Sequence, residues 1–105
     1  MRHFVSRDLR AAIAHAREGG QALHTHRMIM CPHNAPQCFK DARNKGEDIA
    51  HLLDKNAERL ERTARSLGVR KIKIERPGTE LQHVDLCGEP LRRAIKLCEI
   101  VNGVD

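Results

Sequence analysis

Apolar positions Leu9, Ala12, Ile13 and Ala16 recur at helical spacing. Ser6 precedes them as a candidate cap, Asp8 suits the first turn, and Gly19-Gly20 supplies a stop. Phe4 and Val5 are expected to fold back on this helix or to form a short strand. From Gln21 to Met30 the period changes to two, which predicts a strand. Leu23, Thr25, Arg27 and Ile29 would share one face, and Ala22, His24, His26, Met28 and Met30 the other. Cys31 to Gly46 contains Pro32, Asn34, Pro36 and Asn44, the composition of a long loop. A helical turn is expected within it, around Cys38 to Arg43.

The longest stripe joins Ile49, Leu52, Leu53, Leu60, Ala64 and Leu67, predicting one helix from Glu47 to Leu67. Asn44 and Glu47 would cap it, and Gly68 would end it. Asp54, Glu58, Glu61 and Arg65, flanked by Lys55, Arg59 and Arg62, read as its solvated side. Val69 to Glu75 predicts a second strand, with Ile72 and Ile74 inward and Lys71, Lys73 and Glu75 outward. That one-sided polarity fits an edge strand or an open sheet face. A turn centred on Pro77-Gly78 leads to a third strand, Leu81 to Leu86. There Val84 and Leu86 point to the core, and His83 and Asp85 share the other face. Pro90 opens a last helix buried along Leu91, Ala94, Ile95, Cys98 and Val101 and closed by Asn102-Gly103.

This order gives an α/β fold, with an α+β variant open. A mixed sheet of three to four strands would be packed by three helices, all in one domain spanning residues 1–105. Strand, helix and strand in the middle predict a parallel crossover, and the turn after them an antiparallel hairpin.

Composition narrows the function. The chain has no Trp or Tyr and only two Phe, so its core is aliphatic and it has little on which to stack bases. A net charge of +5 favours anionic partners, a phosphate-bearing ligand or nucleic acid. No stretch is long or apolar enough for a bilayer, and the first residues lack a signal-peptide core. The expected setting is cytoplasmic, with no membrane partner, and the four cysteines are expected to be thiols.

Two segments carry same-face pairs: His24-Thr25-His26 and His83-Val84-Asp85. If the strands are neighbours, His24, His26, His83 and Asp85 converge as ligands for zinc or another divalent metal. The alternative is a wet sheet face on which Asp85 orients His83. Cys31, His33 and Cys38 form a second candidate metal set, with spacing unlike a zinc knuckle. Cys98 reads as core, and Cys87 as a thiol at a helix start. Basic side chains over the sheet (Arg27, Lys71, Lys73, Arg76, Arg92, Arg93 and Lys96) could receive phosphates together with the histidines. No Walker loop, dinucleotide fingerprint or nucleophile elbow is present.

From Leu60 onward the chain resembles an uncharacterised family of short bacterial and phage domains. The matching residues are Leu67-Gly68, His83-Val84-Asp85-Leu86, and Arg92 or Arg93 with Ala94. An early Cys-His pair of that family would correspond to Cys31 and His33. Val84 stands where the family has an aromatic residue, and Pro32 separates Cys31 from His33. The resemblance implies a phage or mobile-element origin and a site around His33, His83, Asp85 and an arginine.

Three functions follow as expectations. The first is binding of an anionic phosphate ligand (nucleotide, nucleotide signal or nucleic acid) through Arg27, His33, His83, Asp85, Arg92 and Arg93. The second is a small metal-dependent nuclease or phosphoesterase using His24, His26, His83 and Asp85. The third is an accessory protein that inhibits a host defence enzyme by direct contact. No catalytic motif is present to choose an enzyme, and a homo-oligomer stays open.

Overall fold

A computed structural model describes residues 1–28 and 31–102. Its elements are β1 (Arg2–Phe4), α1 (Leu9–Arg17), β2 (Gln21–Arg27), α2 (Gln37–Lys45), β3 (Asp48–Asp54), α3 (Ala57–Ser66), β4 (His83–Leu86) and α4 (Gly88–Asn102). The strands form one mixed sheet in the order β1-β2-β3-β4. β1 lies parallel to β2, while β2–β3 and β3–β4 are antiparallel. The small mixed sheet packed by helices is thus as expected. The parallel connection is not: it runs through α1 between β1 and β2, not around the central helix.

The first helix starts later than Ser6. Ser6–Asp8 form a 3₁₀ turn, and the cap position of α1 falls to Asp8 rather than Ser6. β2 ends at Arg27; Ile29 and Met30, expected in that strand, lie outside the described residues, as does Gly103. The loop after β2 contains a full helix, α2, closed by Gly46 at φ 69°.

The main correction concerns residues 47–67. Asp48–Asp54 is a strand and only Ala57–Ser66 is helical. β3 is central in the sheet and buried on both faces, at Ile49, Ala50, Leu52 and Leu53. A strand covered on both sides carries a nearly continuous apolar run that fits a helical stripe as well as a strand. The helix cap is Asn56, whose side chain accepts from the Arg59 backbone N–H, rather than Asn44 with Glu47. Asp54 is therefore not on a solvated helix face. It is buried and takes Arg59 Nε at 2.6 Å and Gln21 Nε2 at 3.0 Å.

Residues 69–75 do not form the expected strand. Their pairing is a single antiparallel bridge, Glu75 to His83. The turn at Pro77-Gly78 is present, with Gly78 at φ 78°.

Each sheet face has its own core. Leu23, Ala50, Leu52, Val84 and Leu86 pack under Leu60, Ala64 and Leu67 of α3 and Leu91, Ala94 and Cys98 of α4. On the other face, α1 covers Phe4, Ala22 and Leu53 at one end. Ala42 of α2 packs with Ile49 and Cys87 at the other end. A disulfide joins Cys38 of α2 to Cys87, at the junction of β4 and α4. Gly88 beside it has φ 58°, and a Cβ there would lie 3.1 Å from the Cys38 sulfur.

Candidate metal centre on the sheet

The strip of sheet between the α1 and α2 ends is polar. Antiparallel register sets His24 opposite His51, and His51 opposite Asp85. The period of two adds His26 on β2 and His83 on β4 to the same face. Three adjacent strands thus supply four imidazoles and one carboxylate. The rings of His24, His26 and His51 stack, His26 and His51 at 4.7 Å between centroids, and His83 meets His51 edge-on at 4.5 Å. The pairs expected from the sequence, His24/His26 and His83/Asp85, do share one face. His51 between them was hidden by reading β3 as helix. Its signal was its place within an apolar run ending at Asp54-Lys55-Asn56.

A continuous chain of contacts crosses the strip. It runs from the Arg27 carbonyl to His26 Nδ1 (3.0 Å), His26 Nε2 to His51 Nε2 (2.9 Å), and His51 Nδ1 to Asp85 Oδ1 (2.8 Å). It continues from Asp85 Oδ1 to His83 Nε2 (3.2 Å), and from His83 Nδ1 to the Leu81 carbonyl (2.6 Å). The carbonyl oxygens and the carboxylate only accept, and a neutral imidazole has one N–H. Three rings therefore bring three protons to five contacts, two short. Two extra protons on the rings fill the deficit. So does one divalent cation seated between Asp85, His51 Nδ1 and His83 Nε2. With the cation, His51 Nε2–H donates to His26, His26 Nδ1–H to the Arg27 carbonyl, and His83 Nδ1–H to the Leu81 carbonyl.

Geometry fits that seat. Ligand atoms of His51, His83 and Asp85 all lie within 4.8 Å of one another. Four-coordinate zinc, with bonds of about 2.0–2.2 Å, holds its ligand atoms about 3.3 Å apart. Three protein ligands leave one position for water or substrate, the arrangement of catalytic rather than structural zinc.

Electrostatics sharpen the contrast among these groups. Burial raises the Asp85 carboxyl, but hydrogen bonds from His51 and His83 overcome it and hold the group well below the usual carboxylate range. Burial lowers His83, while its bonds to Asp85 and the Leu81 carbonyl raise it further, for a net rise. His24 goes the other way. Burial lowers it more than its bond to the Ser6 carbonyl raises it, so it stays neutral, donating from Nε2 and leaving a buried Nδ1 without a partner.

A cavity of about 520 Å³ opens beside His51 and Asp85. Lys71, Lys73 and Glu75 line it together with Met28, Phe39 and Ile49. The remaining sequence candidates separate from this centre. Arg27 borders a neighbouring hollow with His26 and Asp48. Cys31 and His33 line a third hollow, with Lys40 and Arg43. Cys38 is bonded to Cys87, so neither is a thiol here, and Cys38 cannot ligate beside Cys31 and His33 while that bond is intact. Arg92 and Arg93 ride on α4, across the sheet from the histidines, and face Glu89. Cys98 is buried in the core, as expected.

No helix among the described residues is long and apolar enough to cross a membrane. No family model, curated protein or solved structure matches this chain.

Proposed function

We propose that this domain is a metal-dependent hydrolase acting on phosphate-bearing substrates. His51, His83 and Asp85 would hold a divalent cation and leave one position open to water. The observation that carries this reading is the five-contact chain, two protons short, whose deficit one dication at Asp85 removes while leaving the imidazoles of His26, His51 and His83 neutral and paired. A cation lowers the pKa of bound water toward neutrality. Hydrolysis there would form a P–O bond from that water and break the ester P–O bond, the proton given up by the water to solvent balancing the one the leaving oxygen takes from it. Lys71 and Lys73 line the same cavity and suit the charge of the phosphate oxygens.

Titration of chelator-stripped protein with zinc and manganese against a competing indicator tests the centre. One equivalent should bind, and hydrolysis of p-nitrophenyl phosphate and its bis-ester should depend on it. His83→Ala and Asp85→Ala should abolish both. Binding without turnover of either ester would leave a phosphate-binding module, the reading favoured by Lys71 and Lys73 alone. Full activity after chelation would remove the metal centre.

A further inference from the structure

The cavity is lined by two unlike kinds of residue. Its charged lining consists of Lys71, Lys73, Glu75 and Asp85, with Lys73 3.4 Å from Glu75. Those formal charges cancel. A dication at Asp85 would change the sum to +2, the charge that balances one phosphomonoester dianion. Beside the neutral polar Asn34 and His51, the other described lining residues are apolar, among them Met28, Phe39 and Ile49 with Pro32 and Pro36. Phe39 is one of only two phenylalanines in a protein without Trp or Tyr, and it faces this cavity rather than serving the main core. A flat ring resting on Phe39 gains dispersion and stacking that a bare phosphate cannot. The volume, about 520 Å³, suits a ligand the size of a nucleotide or aryl phosphate.

Resting on the metal reading above, we propose that the cavity takes a small phosphomonoester with a flat apolar body, and takes it only after the cation. The phosphate lies between the cation and Lys71 and Lys73, and the body lies on Phe39, Met28 and Ile49. A polymer backbone, which offers monoanionic diesters, matches the charge less well.

Calorimetry with phenyl phosphate, methyl phosphate and phosphate-free phenol tests this on the full chain, with and without one equivalent of zinc. Zinc binding is measured first and separately. Phenyl phosphate should bind zinc-loaded protein about tenfold or more tighter than methyl phosphate does, and phenol should not bind. Metal-free protein should bind neither ester. The double variant Lys71→Ala/Lys73→Ala should weaken both esters about tenfold while leaving zinc affinity unchanged. Phe39→Ala should erase the preference for the phenyl ester. Equal affinity for the two esters would overturn the apolar subsite, and equal affinity without zinc would overturn the ordered binding. Zinc that binds while neither ester does would overturn the ligand and leave the centre standing. Failure of zinc itself to bind would remove the centre and this ligand with it.

Discussion

His26 and His51 face each other through their Nε2 atoms at 2.9 Å, on neighbouring antiparallel strands. Two ring nitrogens can share only one proton. With a cation on His51 Nδ1, that proton belongs to His51 and His26 accepts it. On the proposed reading, His26 would thereby fix the ring angle and tautomer of a ligand without touching the metal, the usual role of a hydrogen-bonded neighbour in such centres. His26→Leu should weaken zinc binding about 10–100-fold. His26→Gln, whose amide oxygen also accepts, should lose much less. Competition against a zinc indicator at one pH reads the difference, and identical affinities for the two variants would deny His26 this role.

Metal-free protein should show a stability optimum shaped by three groups. His24 is below its ordinary value of 6.5 when folded, so the unfolded chain takes up its proton first. Stability falls as pH drops through 6.5 and continues falling until His24 titrates in the fold. His83 is raised, so its contribution is complete below 6.5 and disappears as pH rises through its folded value. Asp85 is lowered, so its contribution holds above 3.8 and is lost in stronger acid. Urea midpoints in chelator should therefore fall less between pH 7 and 5.5 in His24→Gln than in the parent. The alkaline-side loss should flatten in His83→Gln.

Arg59 clasps Asp54, whose side chain is wholly buried, with contacts of 2.6 and 2.7 Å. Removing the guanidinium leaves that carboxylate only Gln21 and the Asn56 N–H. Breaking a buried pair costs about 3–5 kcal/mol, and the part-exposed Arg59 discounts this to roughly 2–3 kcal/mol for Arg59→Ala. Chemical denaturation would measure it, and a loss below half a kilocalorie would mean that water reaches Asp54 readily.

The Cys38–Cys87 bond closes a span of 49 residues. Constraint of the unfolded chain over such a span contributes about 2–4 kcal/mol. Reduction, or paired replacement by serine, should lower the denaturation midpoint accordingly. Thiol counting before and after denaturation shows whether the bond is present in the purified protein.

Much of this architecture was readable from residue spacing where a segment has one wet face. α1, β2, β4 and α4 follow directly from their periodicity, and so does the shared face of His83 and Asp85. β3 did not, because Ile49, Leu52 and Leu53 match the spacing of Leu60 and Ala64 as though one helix ran through them. Burial on both faces erases the alternation that marks a strand. The effect falls on the site, because His51 joins it only through β3 lying between β2 and β4. Residues 69–75 erred the other way: alternating Lys and Ile imitate a strand, yet only Glu75 finds a partner. Spacing also cannot reveal that Cys38, on a loop helix, would meet Cys87.

His51 and Asp85 reach each other across β3 and β4, with α3 and a long connection lying between those strands in the chain. No short segment of polypeptide holds the three ligands by itself. A cation can engage them only after the final strand has docked, too late to guide the search for the native state. Its influence would fall on the departure from that state, prolonging the lifetime of the folded domain while leaving the speed of its formation nearly unchanged.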